Sequence, residues 1–192
     1  MRIGIFGGMF NPPHIAHLIA GERAAEEFEL DRLLFIVGNQ PPLKPVADLA
    51  SGTHRLAMTT LATEGNPVFE ASGIELERDG KSYTVDTLRE LKRDFPDAEL
   101  YLFIGMDNLA SFKSWHDYEE IFKLTKVVAM SRPTHEVGAV DPYILKQVQV
   151  MPIPLLEISS TEVRERVRNG MTIQYLVPEA VRRYINESGL YR

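Results

Sequence analysis

A short apolar run from Arg2 to Phe6 is followed at once by Gly7 and Gly8, then by Pro12, Pro13, His14 and His17, and that order leaves the chain few ways to begin. The run reads as a strand, the paired glycines as a turn whose main chain takes φ > 0 and bares its N–H groups, and the residues from His14 onward as a helix. The helix opens at Pro12 or Pro13, where a missing N–H is no loss, with Asn11 as its cap. The unpaired N–H groups and dipole of such a first turn favour phosphate. His14 and His17 share one face of that turn and can donate to phosphate oxygens where charge builds up. Singly, each piece has a plainer explanation, a tight turn or a solvated histidine pair. Together they outline a nucleotide site.

Composition narrows the classes. Cysteine is absent, which removes disulfides, thiolate nucleophiles and cysteine-ligated zinc together. The formal net charge of −6 argues against a broad nucleic-acid surface, since duplex binding needs many cationic contacts, but not against a small phosphate-bearing ligand in a local basic pocket. With 192 residues, 44% hydrophobic and 25% charged, the expectation is one soluble domain over residues 1–192. No apolar run nears the roughly 18 residues of a membrane span, and a strand stands where a signal peptide would, so a cytoplasmic location is expected.

Further along, residues 14–28 carry a helical apolar period and Arg32 to Val37 a second strand, which begins a βαβ unit. Lys44 follows on a Pro-rich loop at that strand's carboxyl end, a place where α/β sheets bind ligands, although on the residues alone a solvated lysine on a stiff connector is the better reading. Ser51 is set to cap a helix through Thr63, and residues 67–77 look extended. The next helix opens at Lys81 to Leu88 with Ser82 and Thr84 as caps. Leu100 to Ile104 reads as a buried parallel strand ending in Gly105 and Asp107, the latter a ribose acceptor or a helix cap. Trp115, the one tryptophan, lies in a polar neighbourhood and serves as a core anchor or a stacking face. Ser131 and Arg132 close another strand, and residues 148–153 form the last. Ser160, Thr161 and Arg164 then offer donors at a helix start. Five strands interleaved with helices imply an α/β, Rossmann-like doubly wound parallel sheet, with a small helical C-terminal part over about 158–192.

The quadruplet His14-Ile15-Ala16-His17 resembles the His-x-Gly-His motif of the nucleotidyltransferase superfamily, with Ala16 in the glycine place and Asn11 where bacterial relatives commonly carry Asp. Ile104-Gly105-Met106-Asp107 and Ile158-Ser159-Ser160-Thr161 through Arg164 resemble its later motifs in the same order. Ser82 to Leu88 is similar to the bacterial nicotinate-mononucleotide adenylyltransferase branch, as is Pro41-Pro42-Leu43-Lys44, with Leu43 in a histidine's place. The resemblance implies transfer of AMP from ATP to nicotinate mononucleotide, giving nicotinate adenine dinucleotide and pyrophosphate in NAD biosynthesis. It implies that His14, His17 and Arg164 are catalytic and that Gly7, Gly8, Gly105, Asp107, Ser131, Arg132, Ser160 and Thr161 join them in binding ATP. Lys44, Thr84 and Trp115 would bind the second substrate. Mg2+ would be held mainly by substrate phosphates, with no dedicated protein ligands. The expected partners are the two nucleotides, without nucleic acid or membrane; homo-oligomerisation is left open. Phosphopantetheine, a flavin nucleotide or nicotinamide mononucleotide remain alternative acceptors, and a nucleotide-sensing module without turnover is the alternative from another class.

Overall fold

The computed structural model describes residues 1–39, 48–78, 80–131 and 140–192. Its centre is β1 (Arg2–Gly8), flanked by β2 (Arg32–Val37) and β4 (Glu99–Gly105). Outside these lie β3 (Phe69–Ser72) next to β2, then β5 (Lys126–Ser131) and β6 (Gln149–Pro152) beyond β4. The six strands run in the order β3-β2-β1-β4-β5-β6 with every pairing parallel. The sheet is therefore the doubly wound one expected, but five strands is one too few. The extended stretch at 67–77 supplies only four residues of edge strand before the chain turns, a length too short to separate from loop by periodicity.

Alternation along the strands divides the core between two faces. Ile3, Ile5, Leu34, Ile36, Leu100, Leu102 and Ile104 meet Val85, Leu88 and Leu91 of α3 (Thr84–Asp94) on one side. Leu33, Phe35, Tyr101 and Phe103 meet Ala20 and Ala24 of α1 (Ile15–Glu27) on the other. A third cluster joins Met58 and Ala62 of α2 (Gly52–Thr63) to Val163 of α7 (Ser160–Arg168) and to Val181 and Ile185 of α8 (Glu179–Glu187). The C-terminal helices thus dock on α2, which carries the end of the chain back towards β1. Shorter helices complete the set: α4 (Met106–Ala110), α5 (Tyr118–Leu124) and α6 (Pro142–Leu145). No helix among the described residues is long and apolar enough to cross a membrane.

Three local expectations are corrected. Gly7 and Gly8 are not a turn: they continue β1, paired with Ile36 and Val37, and neither has positive φ. The left-handed residue of the turn is Phe10, at φ 45°, whose ring is buried. Asn11 does not cap α1, because the cap position is His14; its amide is engaged with residues 48 and 50. The cap of α3 is Tyr83, without a side-chain bond, and the Ser82 hydroxyl donates to the Glu75 carbonyl instead.

Candidate active site

The order of strands reverses between β1 and β4, and ligands of open α/β sheets bind outside the carboxyl ends at such a switch. A cavity of about 470 Å³ lies there. Of the expected site residues, Gly7, His14, His17, Gly105, Asp107 and Ser160 line it. Residues as far apart in sequence as Gly7 and Ser160 therefore meet because β1, β4 and the docking of α7 bring their ends together. The first turns of α1, α4 and α7 all contribute lining residues. No acidic side chain occupies the first turn of α1, so its dipole is left to attract an anion from outside.

The histidine pair is held firmly. The rings of His14 and His17 stack at 3.7 Å between centroids, and Phe10 presents an edge to His17 at 5.2 Å. The backbone N–H of His14 donates to Nδ1 of His17 over 3.1 Å. An accepting Nδ1 places the proton of the neutral ring on Nε2, so the far side of His17 is a donor. His14 itself is 5% exposed.

The two glycines that line the cavity differ in what they leave open. A Cβ on Gly7 would meet nothing within 4 Å; no protein group requires the bare backbone, and the space it leaves belongs to the cavity. A Cβ on Gly105 would fall 2.4 Å from Oδ1 of Asp107, so the carboxylate sits directly over this glycine. Gly8 does not line the cavity, and a Cβ there would press on the Phe10 ring at 3.0 Å.

On the α7 side, Ser159 is the cap, accepting from the N–H of Glu162 at 3.1 Å. Ser160 donates to the carbonyl of Pro12 over 2.8 Å. Arg164 and Thr161 do not line the cavity. One Arg164 nitrogen donates to the Asn11 carbonyl at 2.9 Å and the other to the Thr161 hydroxyl at 3.2 Å, while Nε is buried with no hydrogen-bond partner among the described residues. The guanidinium fork is thereby turned on the loop that precedes His14. Ser131 ends β5, next to Met130 of the cavity wall, and its carbonyl accepts from the N–H of Ile153. Lys44 and Arg132, together with Leu43, lie outside the described residues.

Thr84 and Trp115 are also outside the cavity lining. Thr84 opens α3, and Trp115 is partly buried against the core with its ring 5.1 Å from that of Phe112. Their segments nevertheless meet, for the rings of Tyr83 and His116 lie 4.6 Å apart. Beside this corner Glu75 accepts from the Thr87 hydroxyl at 2.9 Å, and Arg78 donates to the same hydroxyl at 2.8 Å while pairing with Glu90. Burial pushes the Glu75 carboxyl above the usual carboxylate range, against the opposing pull of Thr87 and Arg78.

The residue that sequence reasoning overlooks is Arg55. It is 1% exposed and among the described residues it donates to main-chain carbonyls alone: Met9 at 3.0 Å, Gly38 at 2.6 Å, Asn39 at 3.0 Å and Ala50 at 3.0 Å. No ion pair to it is found among the described residues. One buried guanidinium thus ties the exit of β1 to the exit of β2 and to the start of α2. Burial lowers its pKa from the ordinary arginine value, the nearby Tyr191 phenol acting in the opposite sense. The acceptors are backbone atoms, which leave no mark in a sequence.

This geometry has close parallels. A cytidylyltransferase-like family model matches residues 5–166. The probable nicotinate-nucleotide adenylyltransferase of Salinibacter ruber is 47% identical over 192 residues, spanning 100% of this chain and 98% of its own. That of Leifsonia xyli subsp. xyli is 42% identical over 191 residues, spanning 100% and 94%. Among solved structures, Plasmodium falciparum nicotinic acid mononucleotide adenylyltransferase complexed with NaAD superposes with a TM-score of 0.77 over 99% of this chain and 97% of its own, at 21% identity. At that identity the match speaks for the fold.

Proposed function

The chain belongs to the cytidylyltransferase-like family, and from that premise we propose that it transfers AMP from ATP to nicotinate mononucleotide, giving nicotinate adenine dinucleotide and pyrophosphate. It is a nicotinate-nucleotide adenylyltransferase. Full-length relatives of that activity at 42–47% identity support the reaction, and the observation that carries the mechanism is the convergence of Gly7, His14, His17, Gly105, Asp107 and Ser160 on one cavity. We take residues 1–192 as one nucleotidyltransferase domain whose helical part begins near 158, and we place the enzyme in the cytoplasm.

The acceptor phosphate is already an anion at neutral pH, so the reaction asks the protein for neither a nucleophile nor a strong base. It asks that two anions be brought into line and that the charge growing on the α-phosphate be offset. In this reading Nε2–H of His17 donates to the α-phosphate, and His14 holds the phosphates from the same side. Gly7 lets the nucleotide lie against the backbone and Gly8, beside it, leaves room for the Phe10 ring, while Gly105 and Asp107 take the ribose and adenine. Ser160, Thr161 and Arg164 serve the β- and γ-phosphates, with Ser131 and Arg132 at the adjoining strand end. Lys44 is assigned to the reacting phosphates, and Thr84 and Trp115 to the pyridine end. Mg2+ would enter with the nucleotide, held mainly by substrate phosphates and waters, and would offset phosphate charge.

The deciding experiment is pyrophosphate release with ATP and Mg2+, comparing nicotinate mononucleotide, nicotinamide mononucleotide and phosphopantetheine. Preference for the nicotinate acceptor is expected; turnover with phosphopantetheine, or none with any acceptor, sinks the proposal. A second test uses Gly7→Ala. The added methyl meets no protein atom within 4 Å, so the melting temperature should stay put while the KM for ATP rises about tenfold, since the methyl enters the space assigned to the nucleotide. An unchanged KM would remove Gly7 from the site.

A further inference from the structure

The loop that carries Asn11 and Pro12 into His14 is fastened from one residue. Asn11 is 2% exposed, and each polar group of its side chain is used. Nδ2 donates to the Asp48 carbonyl at 3.1 Å, and Oδ1 accepts both from the N–H of Ala50 at 3.1 Å and from the hydroxyl of Tyr191 at 2.8 Å. Its own carbonyl accepts from Arg164 at 2.9 Å. A primary amide is the one side chain of this size that offers a donor and a doubly accepting oxygen at once. The arrangement also answers why Asn can stand here: a carboxylate would set an oxygen against the Asp48 carbonyl where Nδ2 now donates.

Tyr191 is the long-range member of this set. It lies 180 residues from Asn11 and packs with Val181 and Ile185 of α8 on the α2 face. Burial pushes its phenol well above the usual tyrosine range, the Arg164 and Arg55 charges pulling the other way, so the hydroxyl keeps its proton and remains a donor. Neither motif nor spacing singles this residue out, and the mechanism above does not use it.

We infer that Tyr191 is a positioning residue for the phosphate site, holding Asn11 so that its carbonyl sets Arg164 against the loop leading to His14. The inference rests on the reading of Arg164 as a ligand of the ATP phosphates. The side-chain bonds of Asn11 fasten its stretch of main chain to residues 48, 50 and 191, so losing the one from Tyr191 loosens the hold on the backbone carbonyl that receives Arg164. Thr84 and Trp115, assigned to the pyridine end, take no part in these bonds.

Tyr191→Phe removes one oxygen and leaves the ring packed on α8, so the full chain folds. Steady-state kinetics with ATP and nicotinate mononucleotide varied in turn should show kcat/KM for ATP reduced about three- to tenfold, the worth of one buried hydrogen bond, with the KM for nicotinate mononucleotide unchanged. A residue that merely supports the fold would not separate the two substrates. In an Arg164→Lys background the same change should cost nothing further, because its effect passes through the fork already removed. An unchanged value for ATP, an equal loss for both substrates, or the same added loss in the Arg164→Lys background overturns the inference. Should the wild-type chain release no pyrophosphate at all, the functional reading is what fails, and the dissociation constant for ATP in the same four proteins decides the role of Tyr191.

Discussion

Arg55→Met is expected to lower the stability of the fold by about 3 kcal/mol or more, a large share of what a domain of this kind has to spare. Methionine keeps much of the volume and removes the charge, so the change isolates what the guanidinium does. Four carbonyls, of Met9, Gly38, Asn39 and Ala50, lose a donor at 2.6–3.0 Å in a place with 1% exposure at the residue itself. Each buried acceptor left unmet costs about 1–3 kcal/mol. Against that, methionine no longer needs a cation to be desolvated, and this gain is why the total falls short of four full penalties. For a chain of this length the melting temperature should drop by about 6–12 °C. Arg55→Lys should fall between, since an ammonium has three donors on a point and cannot span carbonyls from three segments as a planar fork does. Urea unfolding at 25 °C is the check. A loss below about 1 kcal/mol for Arg55→Met would mean that the carbonyls find other donors and that the clamp is not what joins the ends of β1 and β2.

The contrast between Arg55 and the histidine motif shows what a sequence can disclose. The sheet was legible because its four inner strands, β1, β2, β4 and β5, are largely apolar runs, and these have a chemical signature of their own. The meeting of Gly7, His14, His17, Gly105, Asp107 and Ser160 at one cavity was legible because they stand in short motifs next to strand ends or helix starts, and a parallel sheet carries its strand ends to one edge. What escaped was set by contacts between distant segments. Gly7 and Gly8 look like a turn from their composition, yet pairing with β2 keeps them in the strand, and the turn's left-handed residue is Phe10, held at φ 45° by the burial of its ring. Asn11 has the composition of a helix cap but answers to residues 37, 39, 153 and 180 positions away. Ser82 competes for the start of α3 and is drawn off by the Glu75 carbonyl. Arg164 also donates to the Asn11 carbonyl and to the Thr161 hydroxyl, and the first of these bonds reaches a segment that its motif does not disclose.

His17→Ala should reduce kcat by about two to three orders of magnitude, the usual consequence of losing one donor to a developing oxyanion. Alanine also removes the acceptor for the His14 N–H at 3.1 Å, so a modest stability loss of about 1 kcal/mol accompanies it, and the two effects must be told apart. His17→Asn and His17→Gln do so. The asparagine carbamoyl reaches about as far as Nδ1 and can still accept from His14, while lacking a group at the Nε2 position; the glutamine amide reaches as far as Nε2 and can donate there. Asparagine should therefore keep the melting temperature and share the loss in kcat, whereas glutamine should recover part of kcat and lose the helix-start contact. Single-turnover formation of the dinucleotide measures the chemical step directly. If asparagine is as active as the wild type, or if glutamine is no better than alanine, the donor on Nε2 is not what lowers the barrier, and His17 serves the site only by anchoring the first turn of α1.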